Sequence, residues 1–454
     1  MEACASGSWD HDMNPATACV AWTDCIAGEA LSQEGSPTIN RACSACVGGT
    51  FSTTTNAASC TSMTDCAAGS FVSIAGTPIA DRQCTTCPPG QESTTTNAKA
   101  CIPGELRIAI SPFHACARLT DGSVRCWGVN WSGRIGDGTT VDRSTPTAVV
   151  GLSDATDVAV GSLHSCALVT GGAVRCWGSN FFGSIGDGTT DDRLTPTAVV
   201  GLSGVKKLAA GGSSACAILD DDTVRCWGQL GKGIQLDDGT TTEGRTPAAI
   251  PGLSGVSAIT LGDGHACALL GNGTVRCWGD NSFGQLGDGT TTRPTTTTAV
   301  LGLTNVVGIS AGEFRSCALL DDGTVRCWGR NNYYKLGDGT TNTPPRTSPV
   351  TVIGLSGVTE IGAGGESHTC ARLANGSVRC WGRNDYGQVG DGTETERPSP
   401  TPVSGISTAV GLSAGGHMGC VILADGTVRC WGASEYGSIG NGTDQSLVPT
   451  LISL

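Results

Sequence analysis

Short apolar runs separated by Asp-Gly turns recur along most of the chain. In "CALLDDGTVRCWG" (317–329) two such runs flank Asp-Asp-Gly, a pattern that predicts two antiparallel strands joined by a tight turn. The pattern occurs seven times, with its first cysteine at positions 116, 166, 216, 267, 317, 370 and 420. No helical periodicity accompanies it, so the pattern indicates an all-β protein built from repeats.

Each repeat of 50 to 53 residues contains four strand candidates. A small-residue run such as "LAAGG" precedes the hairpin, and a Pro-containing run such as "TPTAVV" follows a "GDGTT" loop. Units of this length with four strands are typical of a β-propeller, whose innermost strand must be small because it crowds the axis. We therefore predict a seven-bladed β-propeller over residues 105–454, preceded by a separate region over residues 1–104.

The two cysteines of each hairpin stand ten positions apart. A three-residue turn, Asp321–Gly323, places Cys317 opposite Cys327, and its last position favours glycine because it is left-handed. That position holds glycine in six repeats and Asp222 in the third. Directly opposed Cβ atoms lie about 4.5–5.5 Å apart, within reach of a disulfide. We predict seven intra-blade disulfides: Cys116–Cys126, Cys166–Cys176, Cys216–Cys226, Cys267–Cys277, Cys317–Cys327, Cys370–Cys380 and Cys420–Cys430.

Two other interpretations of the cysteines fit the sequence less well. The propeller pairs offer no second half-site for zinc, and no Cys-x-x-Cys opens a helix as a thioredoxin-like redox motif requires. We expect no metal and no cofactor.

The repeats of residues 105–454 resemble a known family, the regulator of chromosome condensation repeats. The segment "GDGHACALLGNGTVRCWGDNSFGQLGDGT" (262–290) matches the family pattern nearly position by position. The resemblance covers about 350 residues and implies a seven-bladed propeller. Intracellular members of the family do not rely on paired cysteines here, which argues against their exchange-factor activity in this chain.

Residues 4–101 carry a different repeat, of 41 residues. "DCAAGSFVSIAGTPIADRQCTTCPPGQESTTTNAKAC" (65–101) is similar to the cysteine-rich modules of tumour necrosis factor receptors. Such modules have almost no apolar core, so disulfides must hold them. The simplest pairing joins neighbours, although the sequence leaves other connectivities open: Cys4–Cys19, Cys25–Cys43, Cys46–Cys60, Cys66–Cys84 and Cys87–Cys101.

Composition narrows the class of partner and the compartment. A net charge of −13 argues against nucleic acid, whose binding needs a basic footprint, and no apolar run is long enough to span a membrane. Twenty-four cysteines indicate an oxidising compartment, hence an extracellular or cell-surface protein. No export signal is visible, and we interpret Met1 as the start of a trimmed or partial chain.

Recurring tryptophans and histidines are interpreted as structural. The tryptophan after each second cysteine is expected to pack between blades, and the histidines before the first cysteine to form hydrogen bonds: His114, His164, His265 and His368. The aspartates of the Gly-Asp-Gly loops are expected to cap their own turns, with ion pairs to Arg143, Arg193 or Arg346.

Aromatic residues in the loop after Trp-Gly are the best binding candidates, because loops on a rigid scaffold commonly carry binding and aromatic residues anchor interfaces. An ordinary hydrophobic loop position is the competing interpretation. The candidates are Trp131, Phe182, Phe283, Tyr333, Tyr334, Tyr386 and Tyr436.

No catalytic constellation is present in the sequence, so we do not expect an enzyme. The leading hypothesis is a secreted or cell-surface binding protein that engages a protein or glycan through one loop face. A secreted enzyme inhibitor is the alternative, since a bacterial propeller that inhibits β-lactamase has the same repeat fold. Guanine-nucleotide exchange for a small GTPase is a third hypothesis, and the acidic charge and paired cysteines disfavour it.

Overall fold

The structure, a computed structural model, describes residues 4, 6–11, 17–66, 70–86, 91–92, 102–103, 105–229, 244–341, 344–365, 368–433 and 437–454. The chain forms two compact units, Met1–Pro88 with Glu92–Ile102 and Pro89–Gln91 with Pro103–Leu454. Regular elements in the described residues are β-strands and two three-residue 3-10 helices, Trp131–Gly133 and Asn332–Tyr334. None of the helices in this part of the chain has the length and apolarity needed to cross a membrane.

The larger unit contains seven four-stranded antiparallel sheets, each made of four consecutive strands. The first three sheets are blade one, β11 (Arg107–Ile110), β12 (His114–Arg118), β13 (Val124–Gly128) and β14 (Arg143–Ala148); blade two, β15 (Ala155–Val160), β16 (His164–Val169), β17 (Ala173–Gly178) and β18 (Arg193–Ala198); and blade three, β19 (Val205–Gly211), β20 (Ser214–Leu219), β21 (Val224–Gly228) and β22 (Gly244–Ala249).

The remaining four sheets follow the same order. They are blade four, β23 (Val256–Leu261), β24 (His265–Leu270), β25 (Val275–Gly279) and β26 (Thr298–Ala299); blade five, β27 (Val306–Ala311), β28 (Arg315–Leu320), β29 (Val325–Gly329) and β30 (Arg346–Thr351); blade six, β31 (Val358–Gly364), β32 (His368–Leu373), β33 (Val378–Gly382) and β34 (Arg397–Pro402); and blade seven, β35 (Ala409–Gly415), β36 (Met418–Leu423), β37 (Val428–Ala433) and β38 (Gln445–Ile452).

The first strand of each blade contacts the first strand of the next, and β35 contacts β11, so the ring is closed. The predicted seven-bladed propeller is confirmed. Blades one and seven each use four strands that are consecutive in the chain, so closure does not exchange a terminal strand. A shared apolar cluster joins the two instead, in which Ile110 and Trp127 of blade one pack with Met418, Ile439 and Ile452 of blade seven.

Glycines near the axis allow neighbouring blades to approach closely. A Cβ on Gly262 would lie 2.3 Å from the carbonyl oxygen of Gly312, and one on Gly415 would lie 2.4 Å from that of Ile110. Contacts this short are not sterically possible, so these positions cannot carry a side chain without moving a backbone. This is the physical reason for the small-residue runs in the repeats.

The repeated tryptophans join adjacent blades, as predicted. The seven side chains are fully buried. The indole Nε1 of Trp177 in blade two donates to the carbonyl oxygen of Arg134 in blade one over 2.9 Å, and Trp127 closes the ring by donating to Ser438 of blade seven over 2.8 Å. Six of the seven indoles, all but Trp278, also pack against a described glycine of the preceding blade: a Cβ on Gly136 would lie 2.6 Å from Trp177 Nε1.

The hairpin register is the one expected from a three-residue turn. Leu319 pairs with Val325 and Cys317 with Cys327, and Gly323 is left-handed at φ +75°. Asp222 takes the same conformation in blade three, at φ +62°. The Leu320 N–H donates to Thr324 O, so by alternation Cys317 and Cys327 form a non-hydrogen-bonded pair, in which the side chains are closest.

All seven predicted disulfides of the propeller are present, with Cα–Cα distances of 4.0 to 4.1 Å. Their sulfurs lie inside the blades, because all fourteen cysteines are at most 1% exposed.

The smaller unit consists of short hairpins with little apolar core. Its strands are β1 (Ser8–Trp9), β2 (Val20–Ala21), β3 (Glu29–Gln33), β4 (Ala42–Ala45), β5 (Thr50–Phe51), β6 (Thr61–Ser62), β7 (Ser70–Ile74) and β8 (Gln83–Thr86). Two further strands, β9 (Gln91–Glu92) and β10 (Ile102–Pro103), lie where the chain passes between the two units. Glu29 pairs with Ala45, and Ser70 pairs with Thr86 exactly one 41-residue repeat later. The buried apolar residues described here are Ala30 and three cysteines: Cys25, Cys46 and Cys66.

Four of the five disulfides predicted for the smaller unit are confirmed: Cys4–Cys19, Cys25–Cys43, Cys46–Cys60 and Cys66–Cys84. The fifth, Cys87–Cys101, lies outside the described residues. With so few buried apolar side chains, these cross-links are the main restraint on the unit.

Histidines at the start of the second strand lie between blades and are fully buried. His114 Nε2 is 2.7 Å from Ser165 Oγ of blade two, and His265 Nε2 is 2.9 Å from Ser316 Oγ of blade five. These contacts confirm the predicted structural hydrogen bonds for both residues. The prediction is wrong for His164 and His368, whose buried ring nitrogens have no hydrogen-bond partner in the described part of the chain. Burial lowers the pKa of His164 and His265 to about 4, and that of His368 to about 3. The imidazoles are therefore neutral at physiological pH.

We expect the double substitution Cys317→Ala and Cys327→Ala to destabilise blade five. Removing a cross-link that closes a loop of this length frees chain entropy worth about 2–3 kcal/mol in the unfolded state. Equilibrium denaturation without reductant would show this as a lower midpoint. Peptide mapping of the unreduced wild type supplies the control, because it should recover one fragment pair joined through these two cysteines. An unchanged midpoint, or a map with these thiols free, would contradict the assignment.

We also expect acid to destabilise the propeller in a defined window. The pKa of His164 is lower in the folded chain than in the unfolded chain, so the unfolded chain binds more protons as the pH falls. The stability contribution is complete above about pH 6.5 and is lost as the pH falls to about 4. Denaturation midpoints across this range would measure it. His164→Ser, which copies Ser214 of blade three, should reduce the slope; an unaltered slope would refute the assignment.

Candidate functional site

Two sets of loops share one face of the propeller, because alternate strands of an antiparallel blade run in opposite directions. Inner loops join the first and second strands of each blade, and outer loops join the third and fourth. Both sets therefore lie at the same end of the ring, which we call the loop face. The Asp-Gly hairpins and the turns between blades lie at the opposite end.

A buried asparagine at the start of each regular outer loop fixes its shape. Asn130 Oδ1 accepts the Ile135 N–H at 2.9 Å, and its amide donates to Asp137 Oδ1 and to Thr139 O. The same arrangement is built on Asn180, Asn281, Asn331 and Asn384. The recurrence of asparagine two residues after Trp-Gly is the sequence signal of this arrangement.

The loop aspartates act as the turn residues that the sequence predicted. Asp137 Oδ1 accepts the Thr139 N–H at 3.0 Å, while Oδ2 forms an ion pair with Arg143 at 2.6 Å. Burial opposes ionisation, but hydrogen bonds from Thr139 and Arg143 hold the pKa of Asp137 below its usual value. Predicted ion pairs to Arg193 and Arg346 are confirmed, and Asp391–Arg397 is a further one. These bonds hold the loops rigid.

Three arginines lie against aromatic rings on the loop face and form three clusters. In the first, Arg134 Cζ lies 5.6 Å from the ring centre of Phe113 and 6.0 Å from that of Trp131. The guanidinium is almost fully buried and donates to Trp131 O and to Ser162 O of blade two. Burial lowers the pKa of Arg134 to about 10, so it stays charged at neutral pH.

The second and third clusters bridge neighbouring blades. Arg330 of blade five lies 4.9 Å from the ring of Phe283 in blade four and 5.6 Å from that of Phe314. Arg383 of blade six lies 5.1 Å from the ring of Tyr333 in blade five and 5.4 Å from that of Tyr386.

The third cluster carries two further groups. The ring of Tyr386 is 5.2 Å from that of His417 in blade seven. Asp385 pairs with Arg383 at 2.6 Å, and this hydrogen bond raises the pKa of the guanidinium. A charged arginine held against aromatic faces is attracted by the ring quadrupoles, so the rings and arginines fix one another.

The structure separates the predicted aromatic candidates by exposure. Trp131, Tyr333 and Tyr386 are exposed, at 57%, 38% and 42%. Phe182, Phe283 and Tyr334 are half-buried, which fits the alternative interpretation of an ordinary hydrophobic loop position. Tyr436 lies outside the described residues.

Four members of the loop face were missed at the sequence level. Phe113, Phe314 and His417 lie on inner loops, and Phe181, 71% exposed, stacks edge-on against Phe182. The inner-loop residues carry no repeated motif, so only the ring geometry brings them to the outer-loop aromatics.

A cavity of about 670 Å³ lies at the centre of the loop face. The ends of the first strands and the inner loops of all seven blades line it, together with Trp131 and Tyr386 from the outer loops. Its volume falls within the roughly 300–1,000 Å³ of typical ligand sites. The loop face therefore combines a central cavity with a rim of arginine-supported aromatic rings.

Sequence comparisons place most of the propeller in one family. The profile of the RCC1-like domain matches residues 198–454, more than half of the chain. Profiles of the regulator of chromosome condensation (RCC1) repeat match residues 107–133 and 155–184, and residues 121–168 and 171–218.

Solved structures with the same fold have low sequence identity. Prp20p from Saccharomyces cerevisiae, described with its binding to Gsp1p and histones, superposes with a TM-score of 0.66 at 23% identity, covering 77% of this chain and 86% of that one. Human WBSCR16 superposes with a TM-score of 0.65 at 18% identity, covering 73% and 94%. At these identities the similarity establishes the fold.

A local sequence match has higher identity. The secretion-regulating guanine nucleotide exchange factor of Bos taurus is 43% identical over 61 residues, which is 13% of this chain and 13% of the bovine protein. The chain thus matches only about an eighth of that relative's length.

Proposed function

Because the chain belongs to the RCC1-like domain family, we propose that it is a non-enzymatic binding propeller that engages a protein through its loop face. The observation that carries this proposal is the set of exposed aromatic rings held by buried or ion-paired arginines on that face. Aromatic residues and arginine are the types enriched at interface hot spots, and a rigid scaffold lowers the entropy lost on binding.

The rim is built to present its aromatic residues in fixed positions. The backbone of Tyr333 is left-handed, at φ +58°. Its loop is fixed by Asn331, whose Oδ1 accepts the Leu336 N–H. Trp131 begins a 3-10 turn, and its carbonyl oxygen accepts a hydrogen bond from the Arg134 guanidinium. Side chains fixed in this way lose little freedom when a partner covers them.

We further propose that the protein works outside the cell or at its surface. Every described cysteine is in a disulfide, and fourteen of these cysteines are buried inside blades. Disulfides of this number form and persist in oxidising compartments and are rare in the cytosol. A glycan is the alternative to a protein partner, because the same aromatic rim is suited to bind it.

Nucleotide exchange is the second candidate function. The local match to the bovine exchange factor favours it, because 43% identity over 61 residues exceeds that of the solved propellers. Exchange would place this chain in a reducing cytosol, where the fourteen propeller cysteines would be thiols. The paired cysteines therefore favour the extracellular proposal.

The binding proposal predicts that the rim substitutions Trp131→Ala, Tyr333→Asn and Tyr386→Ser together abolish partner capture from the native host's surface and medium. Asn is chosen for position 333 because it tolerates the left-handed conformation. Capture by immobilised propeller, followed by mass spectrometry, measures the effect. Loss of the aromatic anchors should weaken binding at least a hundredfold, about 3 kcal/mol.

A matched control replaces exposed apolar side chains at the opposite end of the ring. Val150 and Leu301 are 52% and 50% exposed in turns between blades, so Val150→Ser with Leu301→Ser should leave capture intact. Both variants should keep the wild-type denaturation midpoint. Capture that survives the rim substitutions, or falls equally in the control, would overturn the assignment of the loop face.

The compartment and the exchange hypothesis are tested together by thiol chemistry and nucleotide release. Titration of the natively produced, denatured protein with a thiol reagent should find no reactive cysteine, and the protein should not accelerate release of fluorescent GDP from small GTPases. A majority of free thiols together with accelerated release would replace the binding proposal with exchange-factor activity.

A further inference from the structure

The central cavity of the loop face has walls of backbone and small side chains. In six of the seven blades the lining includes a glycine where the inner loop meets that of the next blade, because a Cβ there would strike the neighbour; on Gly212 it would lie 2.4 Å from Asp263 O. Bonds between blades fix the same loops: Ser162 N donates to Gly212 O at 2.7 Å, and Glu313 N to Gly365 O at 3.0 Å. The cavity is therefore preformed.

Two carboxylates belong to this lining, on the inner loops of consecutive blades. Asp263 follows Gly262 in blade four, and Glu313 follows Gly312 in blade five. The Glu313 N–H donates to Gly365 O of blade six, and the Asp263 backbone packs closely against Gly212 of blade three. Both acidic residues are thus built into fixed positions.

Within the described residues, the lining of the cavity includes neither lysine nor arginine. The three rim arginines stack behind the aromatic rings and do not line it. Arg315 lies behind Gly312, fully buried, and donates to Gly365 O at 3.0 Å and Thr369 Oγ1 at 3.2 Å of blade six, and also to His368 O. These hydrogen bonds are directed into the adjacent blade. The charge of Glu313 opposes the lowering of the Arg315 pKa by burial, so this guanidinium offsets part of the negative charge of Glu313.

Aromatic surfaces complete the lining. Phe113, 42% exposed, and Trp131 come from blade one, and Tyr386 with His417 from blades six and seven. Electron-rich ring faces attract cations, as carboxylates do, and the effect is larger where water is partly excluded. Carboxylates and aromatic rings in one preformed cavity are complementary to a positive charge.

We propose that the central cavity receives a basic loop of the partner protein, with its lysine or arginine side chain between the aromatic rings and the carboxylates of Asp263 and Glu313. This inference rests on the proposed function, because it names the part of the partner that the loop face recognises. A volume of about 670 Å³ accommodates a side chain together with the turn that presents it. The charge of the lining favours this occupant over a neutral glycan.

The test uses a head-to-tail cyclic hexapeptide with one arginine and one lysine, and a twin with glutamine at both positions. Isothermal titration of the full chain should detect the cationic peptide and not the neutral twin. Raising the salt from about 50 mM to about 300 mM should weaken binding several-fold, because screening acts on charge–charge attraction. The salt series uses the wild-type chain, so it does not depend on how any variant folds.

The double variant Asp263→Asn and Glu313→Gln should bind the cationic peptide at least tenfold more weakly than the wild type. A matched control, Asp121→Asn with Asp425→Asn, changes the net charge equally at the opposite end of the ring. Asn272 and Asn375 fill the equivalent turn position in blades four and six and accept the same pair of hydrogen bonds, so the control should fold normally. Its affinity should equal that of the wild type.

Several outcomes would overturn the inference. They are no binding at millimolar cationic peptide, equal binding of the neutral twin, which would indicate a glycan-like occupant, and equal loss in both double variants, which would indicate a general charge effect. Partner capture separates this inference from the proposed function. If the rim variant loses capture while the Asp263/Glu313 variant keeps it, the cavity assignment fails alone; if the peptide binds but no partner is captured, the proposed function fails alone.

Discussion

The indole of each repeated tryptophan, buried between two blades, is the contact on which the ring depends. In six of the seven, the ring fills the space beside a glycine of the preceding blade and the N–H satisfies a carbonyl there, as Trp177 does with Arg134. The exception is Trp278, whose indole N–H has no hydrogen-bond partner among the described residues. A buried carbonyl without a donor would cost roughly 1–3 kcal/mol, so the same group provides packing and polar satisfaction. Trp127 repeats the contact between the last blade and the first, which closes the ring without strand exchange.

Rigidity at the blade interfaces extends to the loop face. The carbonyl that accepts the indole belongs to the outer loop, only a few residues from Trp131 in blade one, and the buried asparagine fixes the rest of that loop. The disulfides act elsewhere, within single hairpins, and stabilise each blade independently of its neighbours. Interface contacts and cross-links therefore restrain different degrees of freedom, and together they hold the loop-face aromatics in place.

Local rules explain why much of the fold was predictable from sequence. The pairing of Cys317 with Cys327 follows from the turn length and one left-handed position, both set by neighbouring residues, and repetition supplied seven copies of the evidence. The same locality explains the ion pair of Asp137 with Arg143, six residues apart. Exposure was not predictable: Tyr333 and Phe283 align at one repeat position, yet Phe283 is half-buried against Phe314, which comes from the next blade.

The sequence by itself determined the strands, their register, the disulfides of the blades and the number of blades, because each depends on contacts within about fifty residues. The tertiary structure alone decided how the ring closes and what its centre contains. Asp263, Glu313, Phe113 and His417 belong to four different blades and carry no shared motif. They lie around one cavity because seven blades arranged about one axis bring their inner loops together. Their proximity therefore depends on closure of the ring.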